Sequence, residues 1–161
     1  MDELSITIVD GFVKYYEMLG QRAHTLSDSL SEEEIWENPF PYGNSFGHLA
    51  LHIIGNLNYY IGSLIAITGY VRDRDREFTE TERLPKAELL RRLDETVEMV
   101  VATIKEQSAD DWSREYTAIR EEDAGNRFNI LLKCAIHFYH HRGQMIYLVK
   151  EISRQRHAQP S

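Results

Sequence analysis

The sequence predicts an all-α protein, a bundle of four long helices with a long connection between the second and the third. Two observations predict it. Apolar residues recur at threes and fours through four separate stretches, the signature of helices with one buried face. The segments between them are rich in proline, glycine or charge, so each long helix has a visible end. With 161 residues, 42% of them hydrophobic and 27% charged, the chain suffices for one sizeable core. Residues 1–161 therefore read as a single domain with a tail that frays from about residue 155.

The first helix is expected over Ile6–Leu30, where Ile8, Phe12, Tyr15, Tyr16, Leu19, His24 and Leu26 keep helical spacing. His24 reads as a surface histidine. Ser31-Glu-Glu-Glu34 resembles a capping box that opens a short helix to Trp36. Asn38-Pro-Phe-Pro-Tyr-Gly-Asn44 then forces an extended, turning link, because two prolines and a glycine interrupt helix. Asn44 or Ser45 caps the second helix, about Ser45–Thr68, which Gly69 closes. Its inward stripe runs Leu49, His52, Gly55/Asn56 and Tyr59, dense in polar groups for simple packing.

Tyr70–Arg83 alternates in charge and reads as a solvated loop. The other reading is an ordered rim whose arginines meet a substrate carboxylate or a second subunit. Pro85 precedes the third helix, about Lys86–Gln107, whose stripe Leu89, Leu90, Leu93, Val97, Val100, Val101 and Ile104 is purely core. Ser108–Asn126 is a polar connection, with possible extended structure over 115–119 and Trp112 covering one end of the core. The fourth helix is expected over Asn126–Arg154. It is apolar on several sides: Leu131, Phe138, Met145 and Val149 lie on one flank, and Leu132, Tyr139 and Ile146 lie opposite His137. Such a helix is buried on more than one side, so its outer face is expected to pack against another subunit in a homodimer.

Charge and composition exclude several classes. Eighteen basic against 26 acidic residues give a net charge of −8, which leaves no electrostatic footprint for nucleic acid or an anionic membrane. No run of 18 apolar residues occurs, so no membrane span is expected. Met-Asp-Glu-Leu-Ser at the start lacks the positive region of a secretory signal. The single cysteine, Cys134, forms no intramolecular disulfide and fits a reducing, cytoplasmic compartment.

Chemistry concentrates in Ile136–Gln144, read Ile-His-Phe-Tyr-His-His-Arg-Gly-Gln. His137 and His141 are four apart, so their imidazoles share a helix face at roughly 6 Å between Cβ atoms and can grip one cation. Ile130, Cys134, His137, His141, Gln144 and Leu148 fall within about 60° of one line. Polar groups on such a line need partners. A metal ion satisfies both rings, and so do hydrogen bonds from a facing helix. One histidine from His48 or His52 of the second helix would complete a three-imidazole site with an open position. Cys134 lies on the same stripe, either as an extra ligand or as a small buried thiol. Arg142 points away from that line and is expected to form a salt bridge.

These motifs resemble the DinB/YfiT-like superfamily of metal-dependent proteins. His137-x-x-x-His-Arg-Gly-Gln144 matches its fourth-helix pattern, and Asn44–Asn56 matches a second-helix pattern with a serine seven residues before the ligand histidine. Arg72-Asp-Arg-Asp-Arg-Glu-Phe78 looks like an arginine-rich segment of one uncharacterised branch. The resemblance implies His52, His137 and His141 as ligands of a divalent metal, zinc or nickel. It leaves His48 one turn away, as a group supporting a ligand or as a core histidine. Gln144, one turn after His141, could hydrogen-bond substrate or a ligand, or else satisfy buried backbone or cross the dimer contact. The resemblance also implies a homodimer and, as in members that use bacillithiol, mycothiol or glutathione, a low-molecular-weight thiol as co-reactant.

The function expected is a metal-dependent enzyme with thiol S-transferase chemistry on a small-molecule electrophile. A hydrolase using water on the metal is the alternative, and a non-catalytic dimeric metal-binding protein is a third reading. Thiol transfer is favoured because no HExxH occurs and no carboxylate lies on the inward stripes of the second or fourth helix, where a general base would be wanted. His157, in the tail, is expected to be uninvolved.

Overall fold

The computed structural model describes residues 2–158 and is mostly α-helical. Helix α1 spans Glu3–Ser27, α2 Phe46–Leu57, α3 Arg76–Thr79, α4 Lys86–Lys105, α5 Ala109–Ser113 and α6 Arg127–Ala158. A short 3-10 turn covers Glu34–Trp36, and a two-stranded antiparallel ribbon pairs β1 (Glu115–Tyr116) with β2 (Gly125–Asn126). The long helices α1 and α2 each pack against both α4 and α6, so α4 and α6 stand between them around one core. Tyr16, Phe46, Ile53, Leu93, Ile130 and Phe138 are fully enclosed there.

The ends of the helices follow local chemistry. Asp2 caps α1, its carboxylate accepting from the Ser5 amide at 2.9 Å, so the helix starts three residues before the expected Ile6 and stops at Ser27. Ser31 and Glu34 form the expected reciprocal cap: the Ser31 hydroxyl accepts from the Glu34 amide and Glu34 accepts from the Ser31 amide. Ser45 caps α2 by accepting from the His48 amide. Past Leu57 the helix widens to a π-turn over Asn58–Ser63 and ends short of the expected Thr68. Asn58 helps hold that widening, donating to the Ile54 carbonyl and to Thr96 of α4.

Helix α6 continues beyond the expected Arg154 to Ala158. Arg156 explains the extension, since its guanidinium binds Glu34 and the Ser29 carbonyl across the molecule. The rest of the expected frayed tail, residues 159–161, lies outside the described residues. Leu131, Phe138 and Met145 of α6 are buried, and the Tyr16 hydroxyl donates to the Leu131 carbonyl at 2.7 Å. Leu132, Ile136, Tyr139 and Tyr147 on another side of α6 are exposed. Arg142 makes no ion pair among the described residues; its guanidinium lies 5.4 Å from the centre of the Tyr139 ring. Trp112 is buried and stacks on Phe12 with ring centres 6.1 Å apart. No helix among the described residues is long and apolar enough to cross a membrane.

Residues 70–84 are not a uniformly solvated loop. One helical turn, α3, forms in the middle of the charged run and buries Glu77. The reason is a set of internal partners for the charges: Arg72 pairs with Glu77 and Arg76 with Glu80, while Arg74 lies over Phe78.

Candidate metal centre

The centre forms where α2 faces α6. Four-residue spacing on α6 brings the His137 and His141 rings together at right angles, with their Nε2 atoms 2.9 Å apart. From α2, His52 approaches edge-on, its Nε2 3.1 Å from that of His137. His52 is buried, and the two α6 rings are half-buried. One ligating nitrogen from each ring lies within 4.8 Å of the others.

The outward nitrogens assign the tautomers. His52 Nδ1 donates to the Glu77 carboxylate at 2.7 Å, and His141 Nδ1 donates to Gln144 Oε1 at 2.7 Å. With the hydrogen of each of those rings on Nδ1, Nε2 is the atom that faces inward and can offer a lone pair. Three such nitrogens share one point with at most one hydrogen among them, an arrangement unfavourable on its own. A cation accepts all three lone pairs, and the 2.9 and 3.1 Å separations approach the edge of about 3.3 Å set by zinc–nitrogen bonds of about 2.0–2.1 Å in a tetrahedron. The donor set fits a divalent transition metal.

The rings are held in the form a metal requires. Burial pushes His137 down to about 3, helped by the nearby rings of His141 and His52. His141 is pushed down to about 4, again chiefly by burial, against the hydrogen bond to Gln144. Both are neutral at neutral pH. Glu77 lies below the usual carboxylate range: burial pushes it up, but hydrogen bonds from His52 and Arg72 and the Arg72 charge outweigh that. Arg72 grips it with a fork, Nε to Oε1 at 2.6 Å and Nη2 to Oε2 at 2.9 Å. The Phe78 ring lies 4.8 Å from that of His52.

Of the residues singled out in the sequence, His52, His137, His141 and Gln144 come together here. His48 does not join them. Its Nδ1 meets the Ser45 hydroxyl, its Nε2 accepts no role in the triad and instead meets the Glu80 carbonyl, and its ring stands edge-on to Trp36. Cys134 is buried outside the triad, and burial pushes its thiol far up, so it stays protonated. His24 pairs with Asp94, far along the chain from the site.

A family described as a protein of unknown function, DUF1572, matches residues 5–159. The chain belongs to the DUF1572 family. The matched stretch contains all three histidines, Gln144 and the charged segment with Glu77. No curated protein matches the chain.

Glu77 and Arg72 are the residues that sequence reasoning missed at this site. A buried carboxylate inside an alternating charge run carries no periodic signal. Two marks were present in hindsight: the aromatic Phe78 at the end of the run, and Gly55 on α2, whose absent side chain leaves space where Glu77 sits. Asn56, four residues after His52, is also buried, and its Oδ1 has no hydrogen-bond partner among the described residues.

Proposed function

We propose that the protein is a metal-dependent enzyme of the DinB/YfiT-like kind, built as a four-helix bundle, that joins a low-molecular-weight thiol to a small electrophile. The observation that carries this reading is the convergence of three imidazole nitrogens with no fourth protein ligand among the described residues. A structural site is usually closed by a fourth side chain, whereas a catalytic one keeps a position open. The two candidates for closing it are engaged elsewhere, His48 by Ser45 and Glu80 and Cys134 by its buried place outside the triad.

A zinc or nickel ion held there would make a thiol or water in the open position a nucleophile near neutral pH. The residues of the chain supply the rest. His52 fixes the buried side of the site, and the half-buried His137 and His141 leave the approach from the surface. Glu77, the carboxylate against the triad, spends its oxygens on Arg72 and His52 and is not free to take a proton from an incoming water. That favours thiol transfer, in which the nucleophile needs no separate general base, over hydrolysis. Arg72 and Arg76, two of the arginines that could have met a substrate carboxylate, are paired internally, so this part of the charged segment supports the site rather than greeting substrate. A reducing cytoplasmic setting suits both the thiol and the lone cysteine.

A second copy of the chain is the partner this reading includes. Leu132, Ile136, Tyr139 and Tyr147 lie along one exposed side of α6, the helix that carries two of the three histidines. The test of function begins with elemental analysis of protein purified without a histidine tag and without chelator. A panel of thiols with a generic aryl halide then follows adduct formation. About one zinc or nickel per chain and thiol-dependent turnover are expected, both lost in His137→Ala with helix content kept. Stoichiometric metal in that variant would remove the ligand set.

A further inference from the structure

We infer that Glu77 is the positioning residue of this centre, fixing the His52 ring with Nε2 turned inward, and that Gly55 exists to make room for it. The inference rests on the reading that the triad holds a metal, and it names what sets the strength of the ligand from α2.

Glu77 differs from its neighbours in the charge run. Asp73, Asp75 and Glu82 are exposed, but Glu77 is 6% exposed, and so is His52 behind it. A carboxylate is costly to bury unless its oxygens are bonded and its charge is answered. Both conditions hold: Oε2 accepts from His52 Nδ1 and from Arg72 Nη2, and Oε1 accepts from Arg72 Nε. With that acceptor in place, His52 carries its hydrogen on Nδ1 and its lone pair on Nε2. A carboxylate behind a ligating imidazole also makes the opposite nitrogen a stronger donor. The residue after it completes the clasp, since Phe78 meets the same ring with centres 4.8 Å apart.

Gly55 supplies the second, independent observation. A Cβ at that position would lie 2.0 Å from Glu77 Oε1 and 2.7 Å from its Cδ. The tip of a glutamate would ordinarily swing aside. Here it cannot do so without surrendering Arg72 or His52. Glycine is disfavoured inside a helix, so its presence one turn past His52 needs a reason, and the carboxylate is that reason.

A salt bridge that merely holds residues 70–84 in place would show the same pairing, so the test reads the metal and not the fold alone. Cobalt(II) is titrated into metal-free wild type, Glu77→Gln and Gly55→Ala, following the visible ligand-field bands and competition with a chromophoric chelator. Circular dichroism reports helix content in parallel. Wild type is expected to take one cobalt per chain. Both variants are expected to keep their helices, bind cobalt about 10–100-fold more weakly and show altered bands. Gly55→Ala carries the test alone if Glu77→Gln does not fold, because alanine favours helix and touches no ligand. Wild-type affinity and bands in the folded variants would overturn the inference. A wild type that takes no cobalt would overturn the metal centre itself.

Discussion

Gln144 Oε1 accepts from His141 Nδ1 at 2.7 Å, one turn further along the same helix, so α6 carries both a candidate ligand and the group that orients its ring. Gln144 is exposed, where water can replace its amide. Gln144→Ala is therefore expected to weaken metal binding by about tenfold, near the low end for lost ligand supports. Gln144→Glu should restore or raise affinity. Chelator competition checks both, and an alanine variant as tight as wild type would assign Gln144 to the surface alone.

Stability of the metal-free protein should rise with pH between about 5 and 7. Unfolded histidine titrates near 6.5, whereas folded His137 and His141 titrate near about 3 and about 4. Between those values the unfolded chain binds protons that the folded chain refuses, which favours unfolding as pH falls. The contribution is fully present above the unfolded value and is lost on the way down through the folded ones. Urea midpoints at pH 5, 6 and 7 measure it, and replacing both rings by glutamine should flatten the slope. A slope unchanged by that replacement would place the titrating groups elsewhere.

Tyr16→Phe isolates one buried hydrogen bond. The hydroxyl is fully enclosed and donates to the Leu131 carbonyl, which keeps its place in the α6 ladder after the change. A loss of about 1 kcal/mol in urea unfolding is expected, with metal content unchanged. A loss of several kcal/mol would mean that the contact sets the position of α6 and not only its stability.

Glycines test packing in opposite directions. A Cβ on Gly47 would fall 2.5 Å from the Trp36 ring, so Gly47→Ala should cost about 1–3 kcal/mol or more by overpacking. Around Gly11 there is open space, and Gly11→Ala should add about 0.5–1 kcal/mol through helix propensity. Chemical denaturation of the two variants gives the signs.

Light scattering checks the second copy on α6. Ile136 is 59% exposed and Tyr147 70% exposed, an unfavourable way to leave large apolar groups without a cover. A dimer at micromolar concentration is expected, reduced to monomer by Ile136→Glu. Wild-type protein that elutes with the mass of one chain would remove the partner.

Most of the helical framework was legible because it rests on periodicity. The stripe from Leu89 to Ile104 is buried except for the half-buried Leu90, and Ser31 with Glu34 closes the cap their spacing suggests. The pairing of His137 with His141 follows from helix pitch alone, but the arrival of His52 depends on how α2 packs on α6, which spacing does not encode. The π-turn at Asn58–Ser63 escaped because a sequence that reads as helix gives no sign of one wider turn. Glu77 escaped for a related reason. Its burial is decided by Arg72, Gly55 and His52, three partners in space, while Asp73, Asp75 and Arg76 just before it in the chain are exposed charges.

His52 and His137 are 85 residues apart in the chain. An ion bridging them would tie α2 to α6 and act as a removable staple across those 85 residues. During synthesis the staple cannot close until the final helix has emerged, and a chain cut short before His141 would leave the earlier ligand waiting for partners that never arrive. Metal uptake would then be coupled to the docking of α2 on α6 rather than to either helix alone.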